Sequence, residues 1–380
     1  MSAGVTTTGG SNIVLDTGAV TLDQDVTLNS SSGNGGITIS TEVNGGQDLT
    51  LNAGTGTVLL STDVGVSGTD LTGLTVTGGQ VDIDDVAVTD AGAGFITVTA
   101  STNLDVTGSS LSTDGGAVSL SSNSGTGTID ADGANLSIDT TSGGGNGSIT
   151  LTGSLTDGAS DTNLSLTAGS GAVSVTGAVG TSGTRLSSLV VSNSGQVDLG
   201  DVFTVGVINL GGATGNKDLN GTTYSSNDGT ITFGGAVDLV GAGVSINSDA
   251  NGDVTDGNIV FNSTIDGGQT LSLSADGGTV DINGVVGGGT ALTSLTVSSA
   301  GQSDLLAVTT TGVVDVTSGV INVDGLISAG GQVDLSGATT LSAGVTTTGG
   351  SNIVLDTGAV TLDQDVTLNS SSGNGGITIS

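Results

Sequence analysis

The sequence predicts an all-β fold, a parallel β-helix (β-solenoid) with about 21 residues per coil. Three observations carry that prediction. Short apolar–polar–apolar triplets recur after glycine-rich turns, no stretch keeps a 3.6-residue period, and the chain repeats itself. The triplets include Ile37-Thr38-Ile39, Leu49-Thr50-Leu51, Leu74-Thr75-Val76, Ile96-Thr97-Val98, Val118-Ser119-Leu120, Leu164-Ser165-Leu166, Leu271-Ser272-Leu273 and Val333-Asp334-Leu335. Their period of two sets one face of a strand against a core. A strand this short cannot bury its apolar face alone, and a flat sheet of such strands would leave long open edges. Coiling solves both problems, because each coil pairs its backbone with the coils on either side at a step of about 4.8 Å. About 18 such coils would make a rod of roughly 85 Å.

Composition agrees with this fold. The 380 residues include 71 Gly but no Pro, Cys, His or Trp, and aromatics are 1%. Hydrophobic residues, at 34%, are almost all aliphatic, and a mean hydropathy of +0.28 separates the chain from disordered sequences. Proline would remove a ladder hydrogen bond, so its absence fits a continuous sheet. At the corners, Gly45-Gly46, Gly78-Gly79, Asp114-Gly115-Gly116 and Asp266-Gly267-Gly268 are expected to supply the positive φ of tight turns.

The repeats set the organisation. Ser2 to Ser40 and Ser342 to Ser380 are identical, an offset of 342 − 2 = 340. The chain therefore reads as one continuous solenoid over 1–380. Residues 2–341 form one 340-residue period and 342–380 start the next. Leu71, Leu186 and Leu292 mark a weaker threefold repeat, with spacings of 186 − 71 = 115 and 292 − 186 = 106, leaving 119 to close the period.

Whole classes of chemistry fall away at this stage. Without His or Cys there is no imidazole base, thiolate nucleophile, disulfide or soft metal site. Lys217 and Arg185 stand against 36 acidic residues, a formal charge of −34, so the chain cannot neutralise a nucleic-acid backbone. No run of about 18 apolar residues offers a membrane span. Met1 leads directly into repeat sequence with no basic-then-apolar leader, which suggests an excised piece or an export signal elsewhere.

The segment Gly257 to Gly312, GNIVFNSTIDGGQTLSLSADGGTVDINGVVGGGTALTSLTVSSAGQSDLLAVTTTG, resembles the β-strand repeats of giant bacterial surface and secreted proteins related to filamentous haemagglutinin. The resemblance covers essentially the whole chain as a pattern. It implies that the solenoid is a right-handed parallel β-helix, an elongated extracellular shaft that presents or constitutes an adhesin. The family's amino-terminal secretion domain has no counterpart here.

Glu42 is the only Glu, so acidity is almost entirely Asp, a turn former. One loop suggests more. Asp249, Asn251, Asp253 and Asp256 approximate the alternating oxygen ligands of a calcium loop, and Asp130-Ala131-Asp132-Gly133 is a shorter version. Asp82, Asp198 and Asp304 recur after Gln but lie coils apart, so they read as outward strand positions. Asp84-Asp85 resembles a glycosidase pair, yet too few aromatic and basic groups exist to hold a sugar, and no enzyme is expected. Thr-x-Thr segments such as Thr75-Val76-Thr77 raise ice binding, which needs strict register; turns of varying length, such as 142–147, are expected to break it.

The sequence thus predicts a structural repeat segment with no catalytic residues. It serves as a rigid extracellular shaft or fibre for adhesion, with calcium the one candidate ion. Its partners are expected to be itself, end to end, and a host or neighbouring cell surface. The alternatives are a calcium-dependent secreted module and a subunit of a stacked filament.

Overall fold

A computed structural model describes residues 1–66, 69–89, 94–123, 126–132, 135–157, 162–192, 195–213, 215–253, 255–370 and 374–380. The chain divides into two units, Met1–Leu199 and Gly200–Ser380. Each is a parallel β-solenoid, and among the described residues helix is confined to 3-10 turns such as Ser142–Gly144.

In the first unit each full coil contributes strands to three faces. The first face stacks Val5–Thr6, Val26–Asn29, Asp48–Asn52, Gly73–Gly78, Phe95–Ala100, Val118–Ser122, Ile149–Thr152, Val173–Val175 and Val197–Leu199. The second runs from Ile13–Leu15 through Val81–Ile83 to Ser154–Thr156, and the third includes Val86–Val88, Asn135–Asp139 and Ser188–Ser192. Pairing is parallel throughout these ladders, and an offset of 28 − 5 = 23 in Val5↔Leu28 recurs in Val81↔Leu104. A coil therefore takes about 23 residues, slightly more than the spacing of the triplets implied. The triplets belong to different faces, so counting them does not count coils.

The second unit repeats the plan. One ladder runs from Val202–Thr204 to Ile377–Ile379, and its central strands, Ser294–Leu305, Val314–Val323 and Val333–Leu341, are long enough to turn a corner and serve two faces. Offsets there tighten to 314 − 295 = 19 in Leu295↔Val314, and Val314↔Val333 keeps the same step.

The core is a set of aliphatic ladders. Leu28, Leu51, Val76, Val98, Leu120, Leu151 and Val175 occupy one inward column of the first face, and each is at most 1% exposed. Leu71, Leu186 and Leu292, equivalent in sequence, are all buried. In the second unit Phe233 stacks on Phe261 with ring centroids 4.8 Å apart and planes at 10°, and Phe233↔Phe261 is also a register pair.

The glycines do two jobs, only one of which matches expectation. Gly45, Gly46, Gly115, Gly267 and Gly268 have positive φ, as anticipated. Gly78, Gly79 and Gly116 do not. They are required instead by close approach of neighbouring coils. A Cβ on Gly79 would overlap the Thr55 carbonyl oxygen, one on Gly116 that of Gly94, and one on Gly147 that of Gly116.

Register also survives the irregular turns. On the first face Thr27, Thr50, Thr75, Thr97, Ser119, Thr150 and Ser174 occupy one outward column across seven consecutive rungs. The Val118↔Ile149 step is the longest on this face and contains the turn at Ser142–Gly144, yet the ladder is unbroken because the extra chain leaves at a corner. The expectation that variable turns would disrupt the Thr ladder is overturned.

Candidate functional site

Aspartate is the residue type with most to explain, and the structure gives it several tasks. At corners and strand ends it staples one coil to the next. Asp201 accepts from the backbone N–H of Thr222 and Thr223 at 2.7 and 2.9 Å, and Asp266 from Gly289 and Thr290 at 2.7 and 2.8 Å. Asp85 does the same for Ser109 and Ser110, at 2.5 and 2.8 Å, while Asp84 accepts from the Asp85 N–H at 3.0 Å. The Asp84-Asp85 pair is thus engaged with backbone. Asparagine serves likewise, with Asn146 accepting from the Ser170 N–H at 2.8 Å.

On strands, Asp sits outward in register. Asp82, Asp105 and Asp130 form a column on the second face of the first unit, and Asp218, Asp238 and Asp266 form one in the second unit. Such stacking sets like charges one rung apart. Partial burial, with Asp105 among the neighbours, raises the Asp82 carboxyl above its ordinary value, although a hydrogen bond from Thr107 opposes the shift. Asp130 is raised by burial and then by Asp132, and Asp315 by burial and then by Asp334. The Gln two residues before an Asp donates to it in Gln196–Asp198 at 2.8 Å and Gln302–Asp304 at 2.7 Å. Asp82, Asp198 and Asp304 therefore lie at outward strand positions, as their spacing suggested.

The loop from Asp249 to Asp256 is different. Its base is closed by the buried Ser248 hydroxyl donating to the Gly257 carbonyl at 2.8 Å. Asp249 is 8% exposed and accepts from the Gly252 N–H at 3.1 Å. Desolvation raises its carboxyl above the usual range, and the nearby Asp276 and Asp256 add to the shift. Carboxylate oxygens of Asp249, Asp256 and Asp276 lie within 4.8 Å of one another, as do those of Asp228, Asp249 and Asp253. The Asn251 amide donates to Asp253 Oδ2 at 3.0 Å. Asp228 comes from about one coil before Asp249 and Asp276 from about one coil after it. Sequence reading misses both, since nothing local marks them. The shorter loop places Asp130 on the strand Thr128–Ala131, and Gly133 lies outside the described residues.

One cation is placed unexpectedly. Lys217 points inward at 0% exposure, in register with Val237, and its Nζ donates to the Ala213 and Gly215 carbonyls at 2.9 and 2.8 Å. Burial pushes its ammonium down to about 8. Gly235 makes room for it, because a Cβ there would lie 2.5 Å from Nζ.

No protein family, curated protein or solved structure matches this chain. The β-solenoid fold implied by the resemblance is present, and none of these comparisons links the chain to filamentous haemagglutinin. No helix among the described residues is long and apolar enough to cross a membrane.

Proposed function

We propose that this chain is a segment of a rigid extracellular shaft or fibre, used in bacterial surface adhesion, whose length comes from repeating the 340-residue period. The observation that carries this reading is the period boundary at Leu341–Ser342, which falls inside continuous ladders. Val333–Leu341 pairs with the second copy on two faces, through Leu335↔Leu355 and Leu341↔Leu362, and Ile327↔Val345 pairs on the third. Within the copy, Val345↔Leu368 and Ile353↔Ile377 keep the registers of Val5↔Leu28 and Ile13↔Ile37. Nothing at the boundary resembles a linker. A chain of two periods should therefore be about twice as long as one and have no joint. Electron microscopy that shows particles bent at the boundary would refute the shaft.

The same copies support a self-partner. Leu22, Ile37 and Ile39 are at most 2% exposed beneath the coil that follows them, whereas Leu362 and Ile379 are 58% and Ile377 44% exposed. In this reading a neighbouring repeat covers such rungs end to end, and salt, by screening the −34 charge, promotes association.

The seven-rung Thr/Ser column supports a second reading, the ordering of water at an ice surface. A second column holds Thr77, Thr99, Ser121 and Thr152. Rungs then lie about 4.8 Å apart along the stack and the two columns about 6.7 Å apart along each strand, a regular two-dimensional array of hydroxyl-bearing residues. Thermal hysteresis is the measurement; its absence at millimolar protein, or its persistence after Thr75→Tyr and Thr97→Tyr together, removes this reading.

A further inference from the structure

We propose that the first face of the first unit is a lateral docking surface for a second copy of this chain, so that two solenoids lie side by side, face to face. The surface uses only strands of Met1–Leu199 and stands independently of the shaft reading.

Charge sets this face apart. The chain carries 36 acidic residues, yet the seven-rung column from Thr27 to Ser174 and its neighbour from Asn29 to Thr152 hold none. On the other side of the seven-rung column a third runs through Gly73, Phe95, Ala117, Ser148 and Ala172, again without charge. Carboxylates only border the patch: Asp48 precedes Gly73 and accepts from the Thr72 hydroxyl at 2.6 Å, and Asp198 follows Ser174. The second face, by contrast, stacks Asp82, Asp105 and Asp130. Two chains of charge −34 repel wherever their carboxylates come within a Debye length, about 8–10 Å. Direct contact between copies is therefore favoured on a face that has none.

Hydroxyls also make the face self-complementary, as a two-fold contact requires. Each can donate one hydrogen bond and accept others, so a Thr or Ser column satisfies a copy of itself, whereas an Asp column repels its copy. Elsewhere such hydroxyls are used within the chain, as Thr113 donates to the Gly116 carbonyl and Thr140 to that of Gly147, both at 2.6 Å. Among the described residues, the hydroxyls of the seven-rung column have no partner in the chain. Both copies step by about 4.8 Å per rung, so rungs that match once match along the whole face. Phe95 supplies an aromatic anchor of the kind enriched at interface cores. It is half-buried and lies over Gly73, where a Cβ would come within 2.7 Å of its ring. At about 4.8 by 6.7 Å per outward position the three columns cover roughly 600 Å² a side, about 1,200 Å² in total. A specific interface needs about 1,000 Å².

The test is sedimentation of the full chain at an ionic strength that screens its charge, with small-angle scattering to measure length. A dimer of twice the 35.8 kDa chain mass is expected, with a micromolar dissociation constant and a maximum dimension close to the monomer's. Thr75→Asp together with Thr97→Asp should weaken it at least a hundredfold, and Ser165→Asp, on the third face, should leave it unchanged. Circular dichroism checks that these variants keep their β content. Thr97 holds the middle rung of the middle column, so it meets its own copy whether the solenoids run parallel or antiparallel. Thr97→Cys, in a chain with no other cysteine, should therefore oxidise to a disulfide-linked dimer. A dimer of doubled length is end-to-end stacking and overturns the proposal, as does a double Asp variant that dimerises normally or a Thr97→Cys dimer that does not cross-link. A chain that stays monomeric overturns it as well, and thermal hysteresis from that monomer would assign the face to ice.

Discussion

Replacing Phe261 with alanine is expected to cost about 3–5 kcal/mol, the usual range for a fully buried Phe that leaves a cavity. Phe261 is 0% exposed, lies flat on Phe233, and is in register with Ile282 on its other side. Truncation therefore opens a void between two rungs that are fixed by their backbone ladders and cannot close on it. The stacked pair adds roughly 0.5–1.5 kcal/mol beyond area burial. Denaturant unfolding is the measurement, and Phe261→Leu should recover most of the loss by refilling the volume. A change below about 1 kcal/mol for the alanine variant would mean that the rungs adjust freely and the core is not close-packed.

Gly147→Val should be worse. Gly147 lacks the positive φ that would explain glycine, but a Cβ there would collide with the backbone oxygen of Gly116, and one on Gly171 would collide with that of Gly147. The obstacle is main chain on the preceding coil, so no side-chain rotation relieves it. A loss above about 4 kcal/mol, or failure to fold, is expected. Gly9→Ala makes the contrast, since Gly9 has φ +71° and nothing lies within 4 Å of where its Cβ would sit. Its cost should be about 1–2 kcal/mol from backbone strain alone. Equal effects at the two sites would show that glycine serves turn conformation everywhere and would remove the close-approach account.

These two contrasts mark where the sequence is legible. Alternation identifies inward residues because the strand period is local, so the triplet at Ile37-Thr38-Ile39 buries both isoleucines. Acidic residues at corners read as turn formers. The structure adds their reach to the next coil, as Asp201 shows with Thr222 and Thr223. What stays hidden is whatever depends on which residues meet between coils. The separation of ladder partners varies from 18 in Leu305↔Val323 to 31 in Val118↔Ile149, so no fixed period announces a neighbour. Asp228 and Asp276 escape notice for that reason, and Gly116 reads as a turn glycine when its constraint lies a coil away. Lys217 carries no local sign that a lysine occupies a column otherwise suited to valine.

The parallel coil-on-coil pairing also bears on how the protein reaches its fold. All-β proteins usually fold slowly because their strands meet across long stretches of chain. Here each strand meets the one a coil away, as Val5 meets Leu28, and over the unit Met1–Leu199 that separation is 23/199, a relative contact order of about 0.12. That value belongs with helical bundles, so each added coil closes only a short loop. Once two coils have paired, the next has a template edge waiting, and the ladder grows by zipping from wherever it nucleates. Folding can then keep pace with a chain that emerges from one end, each coil docking as soon as its own length of chain becomes free.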